Sequence, residues 1–356
     1  MNGLIACLLV LAAVGLLDQL LGGRLGLAES FDRGVASMGG VCISLVGLYC
    51  LGITAVQANA AAVERLAELL PFDPSVLVGC ILAPDLGGWS IAREMAGSAA
   101  LGRFSGVIVS STLGCALSFV LPLSLAGIRR ENVPAMMRGL VLGIVTLPAT
   151  LVSGGLLLRV PLGDLARTCA PILLLCAGIC LALWKATGPT TRILLVLGNG
   201  VRALSLVLFA LVVLGVFVPP LALADPALTA EALTVVLKLT AVVCGAMVLS
   251  RLILAWCGRP IAWAARRLGV NETAVVGLIL SLATSLSMLP MFHQMDARGK
   301  VMNAAFTVSG AFALGGQMAF IASVEPGGVV AAFVVSKLLG GCCALLAAAL
   351  LTPRTD

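Results

Sequence analysis

Nine stretches of about twenty residues carry almost no charge, near 2–22, 34–56, 104–127, 139–158, 169–184, 193–219, 232–256, 301–322 and 328–351. Wound as helices, such stretches match the ~30 Å hydrocarbon core of a bilayer. Of the 356 residues 60% are apolar and 11% charged, against about 25% charged in a soluble domain. There is too little polar surface to face water. The expected class is an all-α polytopic membrane protein with about nine transmembrane helices, in a single membrane domain over 1–356. The first stretch lacks a basic start and reads as a retained helix rather than a signal peptide. The 40 glycines suit helix backbones that approach closely in lipid.

Two further apolar stretches are interrupted. One, from Ser75 to Gly97, contains Ala83-Pro84-Asp85-Leu86-Gly87-Gly88; the other, from Glu272 to Met295, contains Ser281, Thr284, Ser285, Ser287 and Pro290. Each could cross the membrane or dip in and return. If both return, roughly thirteen Lys and Arg, from Arg24 to Arg354, gather on one side, and Arg65, Arg93, Arg103, Arg159 and Arg167 remain on the other. If both cross, the same residues divide about evenly. The positive-inside rule therefore favours two re-entrant helical hairpins, with the N-terminus outside and the C-terminus cytoplasmic. Asp73-Pro74 and Asn271-Glu272 read as helix starts. The amphipathic stretches before them, 62–70 and 261–268, are expected in the interface.

The two interrupted stretches share a register. Gly79 and Gly277 are separated by 198 residues, as are Gly47 and Gly245 in the preceding helices, and Gly102-Arg103 and Gly299-Lys300 follow the hairpins in turn. Five spanning stretches lie between the starts of the two copies, and an odd number reverses direction. The expected architecture is an inverted repeat, with copies at about 34–158 and 232–351 and extra helices at 2–22, 169–184 and 193–219, so that the hairpins oppose each other. Secondary transporters are commonly built this way, because the backbone groups a broken helix frees can line a polar cavity near the midplane. Kinks between packed helices are the plainer alternative.

Candidate binding residues follow from the breaks. A carboxylate at the depth of Asp85 costs at least about 2.5–3.5 kcal/mol unless paired or wetted. A cationic solute, a coupling cation or a proton could supply the pairing, or Asp85 could cap the half-helix that starts near Gly88. Gly87, Gly88 and Ser90 flank it. Thr284, Ser285 and Ser287 at the second tip, with Asn303 and Gln317 in the stretch 301–322, could bond a small polar solute; back-bonding to helix carbonyls is the alternative for the hydroxyls. Arg93 and Glu94 are expected to pair with each other or with the interface. Arg202 should pair or snorkel, and Lys238, Arg251 and Lys337 should snorkel from helix ends.

Other classes find no support. The net charge of +6 is scattered over loops and makes no nucleic-acid stripe. The 12 cysteines sit in apolar runs as filler, and His293 alone makes no metal site. No Walker motif or nucleophile triad occurs, so neither an enzyme nor a cofactor is expected beyond a coupling cation, Na+ or H+. The rivals to a carrier of one small solute are a cation-coupled symporter for another polar metabolite and a non-transporting membrane sensor or scaffold. Every loop is short, which speaks against the latter.

Three blocks carry a likeness: Phe31 to Gly39, Leu82 to Ala96 (LAPDLGGWSIAREMA), and Pro290-Met-Phe followed by Gln294 to Gly315 (QMDARGKVMNAAFTVSGAFALG). Together they resemble the bacterial ethanolamine permease family. The resemblance implies an inner-membrane permease that brings ethanolamine in for catabolism, by facilitated diffusion or cation-coupled alternating access. A homodimer is expected by analogy with transporters. The chain departs from the family at Ser287-Met288, where two amides are expected before the proline, and at Gly316-Gln317, where an acid and a His are expected.

Overall fold

The computed structural model describes residues 3–120, 124, 128–256 and 258–353, with side chains except at scattered helical positions that include Asn199, Arg202 and Ser287. Among the described residues every regular element is helical. The first half contains α1 (Gly3–Leu20), α2 (Ala28–Ala58), α3 (Ala60–Leu69), α4 (Ser75–Ile81), α5 (Gly88–Met95), α6 (Ala99–Arg103), a π-helix over Phe104–Gly114, α7 (Val133–Val145) and α8 (Leu147–Leu157). The second half contains α9 (Leu162–Lys185), α10 (Thr187–Phe217), α11 (Pro226–Trp256), α12 (Gly258–Leu268), α13 (Glu272–Ala283), α14 (Ala297–Ser309), α15 (Gly316–Val324) and α16 (Gly327–Leu351). Among the described residues, four helical stretches are long and apolar enough to cross a membrane: Val133–Leu157, Leu162–Ala182, Pro226–Leu249 and Gly327–Leu351.

Several expected spans are not simple rods. The stretch 139–158 starts earlier and breaks at Thr146, whose hydroxyl donates to Leu142 O and Gly143 O; Pro148 follows and has no N–H to continue the ladder. The start of 104–127 is wound as a π-helix. The stretch 301–322 is two helices, α14 and α15, parted by an unwound segment over 310–315. There Phe312 takes a φ of 60°, and the N–H groups of Phe312 and Leu314 donate to Ser281 O and Leu282 O at 2.9 Å each. The last carbonyls of α13 have no intrahelical donors, and the unwound segment supplies them.

The chain forms two compact units, whose boundaries fall within α2, at Pro122/Leu123, between α7 and α8, and within α11. In the unit made of Gly40–Pro122 and Leu147–Val236, α4 and α5 lie against the π-helix. Ser75 Oγ donates to Ser105 Oγ at 2.8 Å. A Cβ on Gly79 would stand 2.6 Å from Ser105 O, a separation that only glycine permits. The segment from Asp73 to Gly97 closes on itself. Asp73 Oδ1 accepts from Ser75 N at 3.0 Å and Oδ2 from Gly97 N at 2.8 Å.

In the other unit (Met1–Gly39, Leu123–Thr146 and Leu237–Asp356), α14 is the buried centre. Residues 301–310 are all buried, and Val301, Met302 and Ala305 pack on Ala344 and Ala348 of α16. Asp18, 1% exposed, accepts from the amides of Leu25, Leu27 and Ala28 and fixes the turn from α1 into α2. Asn271 caps α13 as expected, its Oδ1 accepting from Ala274 N at 3.0 Å. Its own N–H donates to Asp296 Oδ1, which also accepts from Gly299 N at the start of α14. The segment 271–296 thus also begins and ends at one level. Buried Arg298 donates to Leu268 O and Thr352 O, and Arg138 to Leu351 O, so two guanidiniums close the C-terminal end of α16. The amphipathic stretches 62–70 and 261–268 form most of α3 and α12, and α12 turns Ile261 and Ala265 onto Val275 of α13.

Candidate functional site: two broken helices

At the first break α4 ends at Ile81 and Leu82 is extended. Pro84–Leu86 form one 3-10 turn, and Gly87 enters the left-handed region at φ 86° before α5 begins at Gly88. The proline cannot extend α4, and the glycine takes the conformation that reverses the chain. Ala83 O accepts from both Leu86 N and Gly88 N at 3.0 Å, and Leu82 O accepts from Ser110 Oγ of the π-helix. Asp85 sits in the 3-10 turn, half-buried. Asp85, Gly87, Gly88 and Ser90 are therefore neighbours around one chain reversal. The Ser90 hydroxyl is engaged locally, donating to Gly87 O at 3.1 Å.

One face of this hairpin meets α2 and the start of α11 through residues the sequence reading passed over. The ring of Tyr49 stacks on Trp89 at 6.5 Å with an interplanar angle of 19°. The guanidinium of Arg93 lies 5.2 Å from the Trp89 ring centre. The Glu231 carboxylate lies near the Tyr49 phenol, and Cys50 Sγ donates to Thr229 Oγ1 at 3.8 Å. Arg93 is expected from the sequence to pair with Glu94 or the interface; the structure adds an aromatic face to its surroundings.

At the second break Thr284 is extended, its N–H closing α13 on Leu280 O at 2.9 Å. A 3-10 stretch over Ser285–Gln294 follows. Ser281 and Ser285 are buried beside the unwound segment 310–315. The hydroxyls of Ser281 and Ser309 are buried without a hydrogen-bond partner. Buried polar atoms are nearly always satisfied, so these two hydroxyls, one near the end of α13 and one at the end of α14, stand out at the break. Ser287 keeps its place as a candidate, with its side chain outside the described residues.

Asn303 lies elsewhere. Its amide donates to Ala274 O and Gly299 O, both at 2.9 Å, at the base of the segment. Ala274 is about 15 Å along α13 from Thr284 at 1.5 Å per residue, so Asn303 ties α13 to α14 rather than joining the tip.

Gln317 opens α15 just past the unwound segment and is 2% exposed. Its Oε1 accepts from Lys337 Nζ at 3.2 Å. Lys337 is corrected outright. It does not snorkel from a helix end but stands in the interior of α16, 0% exposed, with its ammonium 5.4 Å from the Phe333 ring centre. An ionisable group at such a position is a functional marker. It was missed because its partner lies 20 residues away in another helix. No cluster of three or more metal-ligating side chains occurs among the described residues.

Residues 1–351 match the family described as "Ethanolamine utilisation protein, EutH". The chain is 31% identical over 345 residues to the "Probable ethanolamine permease EutH" of Listeria monocytogenes, covering 96% of this chain and 91% of that protein. It is 32% identical over 356 residues to the "Uncharacterized protein YxeR" of Bacillus subtilis, covering 98% and 95%. Against the Salmonella typhimurium protein of the same permease name it is 29% identical over 360 residues, covering 93% and 87%. No solved structure matches. With its long apolar helices the chain is a multi-pass membrane protein, and relatives with an assigned role are named as permeases, not enzymes. By a match that runs over nearly its whole length, it belongs to the EutH ethanolamine utilisation family.

Proposed function

We propose that this chain is a permease that carries protonated ethanolamine into the cytoplasm across the bacterial inner membrane. The observation that carries the reading is that each compact unit holds a chain break, at 82–87 in one and 284–285 in the other, with buried, unsatisfied hydroxyls at the second, in a chain whose relatives are named ethanolamine permeases. Ethanolammonium offers one cation and one hydroxyl. In one unit Asp85 offers a carboxylate that suits such a cation; in the other, Ser281, Thr284, Ser285 and Ser287 offer hydroxyls that suit such a hydroxyl. Each broken segment begins and ends at one level, through Asp73 to Gly97 and through Asn271 to Asp296, which supports hairpins that enter the membrane and return.

The inverted repeat gains support from packing. Gly79 faces Ser105 and Gly277 faces Asn303, and both members of one pair stand 198 residues before their counterparts in the other. Inverted repeats with broken helices are a common build of secondary transporters. Alternating access, with Na+ or H+ as coupling ion or with none, completes the reading, in a homodimer with the N-terminus outside.

The test is uptake of labelled ethanolamine into proteoliposomes at acid pH, where the neutral amine that leaks through lipid is scarce. Saturable uptake by the wild type that collapses in Asp85→Asn supports both substrate and residue. Folded wild type that takes up no ethanolamine overturns the substrate, and a panel of small amines and alcohols then identifies the one carried.

A further inference from the structure

We propose that Lys337 sets the substrate class: its ammonium keeps a second ammonium group away from the broken tip of its unit, so that the tip accepts the neutral hydroxyl end of an amino alcohol and refuses a diamine. The inference deepens the permease reading and rests on it.

Lys337 stands ten residues past Gly327, the start of α16, in a helix long and apolar enough to span a membrane. At 1.5 Å per residue that is about 15 Å, half of the ~30 Å hydrocarbon core. An ionisable side chain at that depth is costly and marks function. Two contacts suit its charged form. Gln317 Oε1 accepts from Nζ at 3.2 Å, and the Phe333 ring centre lies 5.4 Å away. An amide oxygen and a ring face stabilise an ammonium through a dipole and a quadrupole, and neither cancels its charge.

The same helix lies across the elbow between α14 and α15. At one end of the unwound segment 310–315, a Cβ on Gly341 would stand 2.8 Å from Gly310 Cα. Just past the other end is Gln317, bonded to Lys337 one helical turn before Gly341. Between these ends Phe312 and Leu314 hold Ser281 O and Leu282 O, and Gly315 has Ala283 O where a Cβ would be. The ammonium is therefore tied to the elbow whose flanks bear the unsatisfied hydroxyls of Ser281 and Ser309. A Cβ on Gly316 would meet nothing within 4 Å, so there is room beside Gln317 at the start of α15.

A fixed ammonium at this place discriminates by charge. Two like unit charges about 8 Å apart, at an effective dielectric of about 20, disfavour each other roughly thirtyfold. A hydroxyl bears no such penalty and can both donate to and accept from the serine hydroxyls at the break. Ethanolammonium and ethylenediammonium have the same two-carbon spine and the same cationic end. They differ only in the other end, hydroxyl against ammonium, so the pair isolates the effect. Lys337 acts here at a distance and need not touch the ligand.

The test is competition against uptake of labelled ethanolamine into proteoliposomes, at constant ionic strength and at acid pH, where both amines of ethylenediamine are protonated. Unlabelled ethylenediamine and unlabelled ethanolamine are the competitors. For the wild type, the inhibition constant of ethylenediamine should exceed that of ethanolamine at least about thirtyfold. Lys337→Met should shrink that ratio about tenfold or more. Gln317→Glu, which sets a carboxylate against the ammonium and cancels its charge, should shrink the ratio too, so the proposal can fail even where Lys337→Met does not fold. A merely structural Lys337 predicts lower uptake at an unchanged ratio. Wild type that both competitors inhibit equally, or folded variants that keep the wild-type ratio, overturns the inference and leaves the permease reading standing. Folded wild type that takes up no ethanolamine overturns both.

Discussion

The ammonium of Lys337 lies 3.2 Å from the side-chain oxygen of Gln317, and both side chains are buried. A charged amine inside an apolar helix depends on each oxygen it meets, since its desolvation is otherwise uncompensated. Gln317→Leu should therefore destabilise the protein by roughly 1–3 kcal/mol. Lys337→Met, which removes the charge and keeps the chain length, should cost less or nothing. The double variant should be more stable than the sum of the two, and thermal unfolding in detergent of all four proteins measures that coupling.

The hydroxyls of Ser281 and Ser309 are buried and make no hydrogen bond. Ser281→Ala and Ser309→Ala should each leave the melting temperature unchanged or raise it, because a desolvated polar atom is removed. Uptake should move the other way, with KM raised and expression unaffected. A fall in both stability and uptake would mean that these hydroxyls hold structure instead.

Gly79 and Gly277 face the next helix at matching positions, but what they meet differs. A Cβ on Gly79 would stand 2.6 Å from the backbone oxygen of Ser105; one on Gly277 would meet the side-chain ends of Asn303 and Met295 at 2.5 Å. Backbone cannot yield and side-chain ends can. Gly79→Ala should cost about 1–3 kcal/mol and Gly277→Ala distinctly less, as judged by thermal unfolding of the purified variants.

Asp73 joins the two ends of the first hairpin, with Ser75 N at 3.0 Å and Gly97 N at 2.8 Å. Asp73→Ala removes both bonds at once, together with the contact of Oδ1 with the Ser75 hydroxyl, and should cost about 1–2 kcal/mol. Hydrogen exchange should accelerate at the amides of Ser75 and Gly97, while those of α14 stay protected.

Much of this was legible in the sequence, and the parts that were not share a cause. The break at Pro84 to Gly88, the cap at Asn271 and the helix over 328–351 are local features, written in residues that sit side by side. The unwinding at 310–315 is not local. Gly310 and Gly315 permit it, but carbonyls of Ser281 and Leu282, some thirty residues earlier, demand it. Lys337 looked like one more basic residue near a membrane edge because nothing beside it in sequence reveals Gln317. The stacking of Tyr49 on Trp89 joins α2 to α5 and leaves no periodic trace. The block that carries the family likeness, Gln294 to Gly315, is largely structural: Asp296, Arg298 and Asn303 all bond backbone at the ends or base of helices. A shared block of this kind identifies a fold more surely than a ligand.

Two hydrogen bonds, from Phe312 to Ser281 and from Leu314 to Leu282, make the broken end of α13 and the elbow between α14 and α15 one mechanical piece. Parting them would strand two donors and two acceptors where water is scarce, and rewinding either alone would do the same to the other. Any stroke that displaces one must carry both. The levers on that stroke are then α13, α14 and α15 at once, so a restraint placed on any of the three, by a crosslink or an antibody fragment, would stall all of them together.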